Sequence, residues 1–223
     1  MAIFRPGASV AEVRGSVGGT VFSRNRGGSY MRTRVAPIQP NTTRQGTIRN
    51  AMALLQNVFA GTLTANQRSQ WTSFAENNTR PNRLGEQIRL SAINMFIRIN
   101  SIRKAAGVST LTVPPTGSCE TGGPTITVAA TTAAGLTITA ISPALSAGDI
   151  LVFQCSGPLS NVVNFFKGPW AYCNYYKSTD TTPLTVVAIG AFVIGNRFKY
   201  RYRYQSATGQ MSPFQYGQVD VAA

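Results

Sequence analysis

Residues 197–204, Arg-Phe-Lys-Tyr-Arg-Tyr-Arg-Tyr, alternate base and aromatic without a break. Period two sends successive side chains to opposite faces of a strand. Phe198, Tyr200, Tyr202 and Tyr204 are therefore expected to face a core, and Arg197, Lys199, Arg201 and Arg203 the other side. Around this strand, short apolar runs bounded by Gly, Pro, Ser and Asn recur through the C-terminal half. They predict strands at 124–130, 135–141, 149–155, 161–166, 170–177, 184–191, 197–205 and 214–221. Their spacing is that of an antiparallel β-sandwich over residues 124–223. A linker at 108–123, centred on Thr110-Leu-Thr-Val-Pro-Pro-Thr-Gly117, precedes it.

Residues 41–107 change to helical period. Thr42 or Thr43 is placed to cap a helix carrying Ile48, Met52, Leu55 and Phe59 on one stripe and ending at Gly61. Thr64-Ala-Asn-Gln67 has capping-box spacing, and Trp71, Phe74 and Ala75 follow on a second helix to about Asn78. Arg80-Pro81-Asn82 interrupts the chain. Ser91 then caps a third helix with Phe96, Ile99, Ile102 and Arg103, closed by Gly107. This three-helix core is thin and is expected to lean on the arm, the C-terminal lobe or a neighbouring subunit.

Residues 1–40 read as an extended arm. Thr20–Arg24 and Ser29–Val35, joined by Asn25-Arg26-Gly27-Gly28, predict a β-hairpin. Its second strand places Tyr30, Arg32 and Arg34 on one face and Met31, Thr33 and Val35 on the other; Pro37 and Pro40 hold the chain extended beyond it. The predicted fold class is thus α+β: an extended arm with a hairpin, a small three-helix region, and a C-terminal antiparallel sandwich.

Charge changes this picture. Of the 21 bases 17 are Arg, and residues 1–105 hold 15 bases against the acids Glu12, Glu76 and Glu86. Residues 106–223 hold 6 bases against 4 acids. Arg offers a rigid donor fork suited to carboxylates and phosphates, whereas Lys is the ordinary solubilising base. The N-terminal half reads as built to lie against something acidic. Arg24, Arg26, Tyr30, Arg32 and Arg34 of the arm, with Arg44 and Arg49 of the first helix, are the candidate partner-binding residues. They suit nucleic-acid backbone, acidic pockets of a protein neighbour, or an exposed solvated face.

Catalytic chemistry is missing. The chain has no histidine, which removes the usual general base near neutral pH and the commonest metal ligand. The seven carboxylates are scattered, and no phosphate-cradle, dinucleotide or nucleophile-elbow motif occurs. No catalytic residue, metal site or cofactor is expected. Cys119, Cys155 and Cys173 fit no zinc or disulfide framework and are expected to be reduced thiols. No apolar run approaches membrane-spanning length. Met1-Ala-Ile-Phe-Arg-Pro6 opens no leader-like apolar segment, so synthesis in a reducing cytoplasm is expected. The bases of 197–203 suit a solvated strand face or docking to an acidic neighbour or glycan. Phe165, Phe166, Trp170, Tyr172, Tyr175 and Tyr176 suit core and inter-subunit contact, or a sugar platform.

Two resemblances add to this reading. Tyr200-Arg-Tyr-Arg-Tyr-Gln-Ser-Ala-Thr-Gly-Gln-Met-Ser-Pro-Phe-Gln-Tyr-Gly-Gln-Val219 resembles the last hairpin of a fibronectin type III or immunoglobulin-like sandwich. The strand at 135–141 departs from it in lacking tryptophan; Trp170 lies elsewhere. Gly18-Gly-Thr-Val-Phe-Ser-Arg-Asn-Arg-Gly-Gly-Ser-Tyr-Met-Arg-Thr-Arg-Val-Ala-Pro-Ile-Gln-Pro-Asn-Thr42 is similar to small virion proteins of tailed bacteriophages, over about residues 13–100. That resemblance implies a structural virion component, expected as a capsid decoration or cement protein, with a tail, neck or baseplate subunit as the alternative. Its implied partners are the major capsid protein or neighbouring virion subunits, with copies of itself in the particle. A basic nucleic-acid-binding protein is the alternative from another class.

Overall fold

Glycine-punctuated strands open the chain. In the computed structural model, which describes residues 2–82, 84–118, 120–186 and 190–222, β1 (Ala2–Ile3), β2 (Gly15–Val17), β3 (Thr20–Asn25) and β4 (Gly28–Thr33) form one antiparallel sheet in the order β1-β4-β3-β2. The expected hairpin is its centre: Asn25 pairs with Gly28 across the turn, and the Gly27 amide donates to Asn25 Oδ1 at 2.8 Å. The arm is therefore more structured than its glycines suggested, because β1 and β2 add a strand to each edge. It has no core, and among the described residues none from 2 to 54 is buried.

Helix α1 (Thr43–Asn57) begins at Thr42, whose Oγ1 accepts from the Gln45 amide at 3.3 Å. The predicted stripe does not pack. Leu55 is buried, while Ile48 and Met52 are exposed because no other described residue covers them. Gly61 does not end the helix either. The chain widens into a π-helical turn, Val58–Thr62, closed by the Leu63 amide on the Val58 carbonyl at 3.0 Å.

Helix α2 (Ala65–Asn77) carries the expected capping box: Gln67 N donates to Thr64 Oγ1 at 3.2 Å and Thr64 N to Gln67 Oε1 at 2.9 Å. Two-residue strands β5 (Arg80–Pro81) and β6 (Gln87–Ile88) precede α3 (Ala92–Ala105). Trp71 stands edge-on to Phe74 and Phe96, with ring centroids at 5.9 and 5.3 Å, and Phe59 leans on Phe96 at 5.4 Å. These rings with Leu55, Leu63, Met95 and Ile97 are the core of the first of two units, 1–98 and 99–223.

The second unit begins within α3. After it come β7 (Thr125–Thr131), β8 (Gly135–Ser142), β9 (Ile150–Cys155), β10 (Leu159–Ser160), β11 (Ala171–Lys177), β12 (Leu184–Thr185), β13 (Asn196–Gln205) and β14 (Gln215–Asp220). One sheet runs β12-β8-β7. The other has β13 central, flanked by β14 on one edge and by β9 and β10 on the other, with β11 outside β9. All their pairings are antiparallel, and one hydrophobic cluster draws on both sheets: Ile126, Leu136 and Ile138 with Leu151, Phe153, Phe198 and Tyr202. Helices and antiparallel sheets together make the chain α+β.

Two strand expectations need correction. Residues 161–166 are not a strand; pairing stops at Ser160, and the segment caps the outer side of β13, where the Asn164 carbonyl accepts from Lys199 Nζ. The strand expected at 184–191 is paired only at Leu184–Thr185, with Val186 N bonded to Leu136 O at 2.8 Å; residues 187–189 lie outside the described residues, as does Cys119.

A buried polar clasp ties the C-terminal half of α3 to the strand ends. Arg103, 3 % exposed, donates to the carbonyls of Ser109 (2.8 Å), Ala207 (3.2 Å) and Gly148 (3.4 Å). Asn100 exchanges two bonds with the Leu111 backbone, and Gln205 Nε2 donates to Ile99 O at 2.9 Å. Gly209 closes the clasp at φ +96°, where a Cβ would stand 2.6 Å from Leu111 and 2.9 Å from Ile99.

Candidate interaction surface

Register sorts the arm's side chains. Ser23 opposes Tyr30 and Val21 opposes Arg32, so Tyr30 and Arg32 share a face as expected. Arg24 opposes Ser29 and falls on the other face, with Phe22 and Met31; there Phe22 meets Phe4 edge-on at 5.8 Å. Arg26 sits in the turn, and Arg34 follows β4, its amide held by Gly19 O at 2.8 Å. The six candidate arginines and Tyr30 thus spread over both faces of the sheet, the hairpin tip and the first helix.

Electrostatics gives this surface one sign. Residues 2–54 contain eight arginines and a single acid, Glu12. Glu12 is taken by Arg14 at 2.9 Å and Arg24 at 3.8 Å. Arg5 pairs with Glu86, whose carboxyl is held below the usual range by bonds from Arg5 and Asn82. Arg49 Nη2 donates to Gln39 Oε1 at 3.3 Å. Arg44 is exposed on the first turn of α1. Among the described residues no carboxylate pairs with Arg26, Arg32 or Arg34. Interspersed with these charges are exposed apolar side chains: Val17, Met31, Val35, Ile48, Met52, Leu54 and Ile38, the last 89 % exposed. Ile48 and Met52 lie one turn apart on α1. The sequence disguised their exposure, since their spacing reads as core.

The second basic row is different. The aromatic side of β13 does face the core, where Tyr200 stacks on Phe153 at 5.5 Å. Its bases are not solvated. Arg197 pairs bidentately with Asp220 at 2.6 and 2.9 Å, which raises the Arg197 pKa and lowers that of Asp220. Lys199 is buried. Arg201 donates to Gln154 Oε1 at 2.7 Å and lies between the rings of Trp170 (4.8 Å) and Phe214 (4.4 Å); Arg203 sits over the other side of the row, 5.2 Å from Phe214. Phe166 and Tyr216 meet Trp170 edge-on at 5.0 and 5.9 Å. The aromatics expected as a sugar platform are divided: Phe166 and Trp170 clad the bases, Tyr172 and Tyr175 pack beside Ile150 and Val152, and Tyr176 is core. Phe165 alone projects, at 81 % exposure.

The described residues bring no three Cys, Asp or Glu side chains together as a metal-ligand group, and no helix among them is long and apolar enough to cross a membrane. Of the two basic surfaces, then, the C-terminal one is internally satisfied, whereas Arg26, Arg32 and Arg34 of the N-terminal one meet no carboxylate among the described residues. Comparison with protein-family models, curated proteins and solved structures gives no match for this chain.

Proposed function

We propose that this chain is a structural subunit that docks through its N-terminal sheet and α1 onto an acidic protein partner in a larger assembly. The assembly that fits the Gly18–Thr42 resemblance is a tailed-phage virion, with the chain decorating the capsid and the major capsid protein as partner. The observation that carries the reading is the absence of any buried residue from 2 to 54 in segments that nonetheless form strands and a helix. Ordering a residue costs about 1–2 kcal/mol of conformational entropy, and a single four-stranded sheet without a core offers little burial to offset it. A partner that covers Met31, Ile48 and Met52 and pairs Arg26, Arg32 and Arg34 supplies both missing contributions. The opposite charge comes from the partner, because eight arginines against one acid make a second copy of the same surface repulsive.

The C-terminal unit reads as an immunoglobulin- or fibronectin III-like sandwich that projects from or bridges the assembly. A three-stranded sheet facing a larger one around a shared core, with the chain ending in the β13–β14 hairpin, supports that reading. Trp170 lies against Arg201, Phe166 and Tyr216, and the strand at 135–142 carries no tryptophan, a departure from the fibronectin pattern.

Mass spectrometry of gradient-purified particles, before and after a high-salt wash, tests the proposal. Stoichiometric copies that survive the wash are expected. Complete loss at high salt together with nucleic acid would overturn it in favour of phosphate binding, which weakens by roughly 10³-fold or more between 50 and 200 mM salt when six or more phosphates are engaged.

A further inference from the structure

Cys155 ends β9, and Cys173 lies in β11 on the neighbouring strand. Cys155 opposes Ala171, and the register slips between Tyr172 and Asn174, leaving Cys173 as the extra residue of a bulge. The bulge turns its sulfur into the shared core, 3.0 Å from Cys155 Sγ, and both side chains are buried. A disulfide bond is about 2.05 Å long, so closure needs the two sulfurs to approach by about 1 Å.

We propose that Cys155 and Cys173 are a disulfide-forming pair, held as thiols in a reducing compartment and joined when the chain meets a small-molecule disulfide. The crosslink closes the loop from 156 to 172. That loop contains β10, the Asn164 carbonyl that holds Lys199, and the rings of Phe166 and Trp170 that clad Arg201. Oxidation therefore pins the outer layer of the β13 sheet at both ends of its covering segment.

The two sulfurs are unequal, which orders the chemistry. Cys155 is the more deeply buried; the contact with Cys173, together with burial, pushes its pKa up, and the same contact draws the Cys173 pKa down. The Cys173 thiolate attacks one sulfur of the external disulfide, whose S–S bond breaks and releases one thiolate. Cys155 gives its proton to solvent and attacks the Cys173 sulfur, expelling the second. The protein loses two electrons and two protons, and the small disulfide leaves as two thiols.

The test is refolding of the full chain, and of its Cys119→Ser variant, in a series of reduced and oxidised glutathione ratios, followed by acid quench, alkylation and tryptic mapping. Cleavage at Lys104, Lys167 and Lys177 leaves Cys173 on a peptide of its own, and Cys119→Ser removes the other thiol from the Cys155 peptide. The expected result is a linked 105–167/168–177 pair that appears as the ratio becomes oxidising. The melting temperature is expected to rise by roughly 5–10 °C, an increase lost in Cys155→Ser. Cys155 and Cys173 both alkylated after refolding in excess oxidised glutathione, or a link that requires Cys119, would overturn the proposal.

Discussion

Replacing Arg103 with methionine keeps the bulk of the side chain and removes its charge and donors. The guanidinium is 3 % exposed and satisfies three carbonyls, those of Ser109, Gly148 and Ala207. Burial lowers its pKa, and the charge of Asp149 opposes that shift. Asp149, itself buried, keeps its own donors in Arg103→Met, the amides of Ser146 and Ala207 at 2.8 Å each, but loses the cation. A buried group left without its partner costs about 1–3 kcal/mol. Three carbonyls lose their donor, two of them from longer bonds, which places the expected loss near the upper end of that range, about 3 kcal/mol. Urea unfolding followed by tryptophan fluorescence reads it through Trp170, which lies in the same unit, with Trp71 reporting on the first unit. With a slope of about 1–3 kcal/mol per molar, the midpoint falls by roughly 1–3 M at unchanged slope. In Arg103→Met/Asp149→Asn the combined loss is expected to be smaller than the sum of the two single losses by at least ~0.5 kcal/mol. A midpoint shift under about 0.3 M would refute the claim that this side chain fastens the end of α3 to the strands.

Other consequences are more local. Phe22→Ala in the free chain removes only the edge contact with Phe4 and costs about 0.5–1.5 kcal/mol, whereas Phe153→Ala in the core costs about 3–5 kcal/mol; thermal unfolding of the two variants compares them. Gly217→Ala pushes a Cβ to 2.4 Å from the Tyr200 ring that lies over it, and destabilisation of about 1–3 kcal/mol is expected in the same assay. Burial and Asp149 raise the Tyr204 pKa from 10.0 to about 12, and burial also raises those of Tyr176, Tyr200 and Tyr202. A raised folded pKa stabilises the protein fully below the unfolded value, and that stability is lost as pH rises through the folded one. Unfolding is therefore expected between pH 10 and about 12, with cooperative ionisation of these four tyrosines followed by absorbance; their gradual ionisation in a chain that stays folded would contradict it.

Local signals carried most of the fold. The Thr64–Gln67 box, the Asn25–Gly28 turn and the Arg197–Tyr204 alternation each depend on neighbours within a few residues, and each formed as its pattern implied. What the pattern left out was long-range. Ile48 and Met52 have the spacing of a buried stripe, but spacing cannot reveal whether any part of the chain covers it. Arg201 and Lys199 alternate like solvated bases, yet Trp170, Phe214 and Asn164 arrive from distant loops to cover them. The Cys155–Cys173 approach depends on a one-residue bulge, which leaves no signature in cysteine spacing. Charge asymmetry was legible from the start. That the C-terminal bases are satisfied within the unit while Arg26, Arg32 and Arg34 are not could be read only from the assembled contacts.

Hydrogen–deuterium exchange of the free chain and of the chain in purified particles tests most directly whether the N-terminal sheet and α1 are completed by a partner. In the free chain, amides of 20–33 and 43–54 are expected to exchange far faster than those of 150–155 and 196–205, which lie on the buried core. In particles the N-terminal amides should become as protected as the core strands. Equal protection of residues 20–33 in both states would contradict the account, because it would mean that the sheet is stable without the partner surface assigned to it.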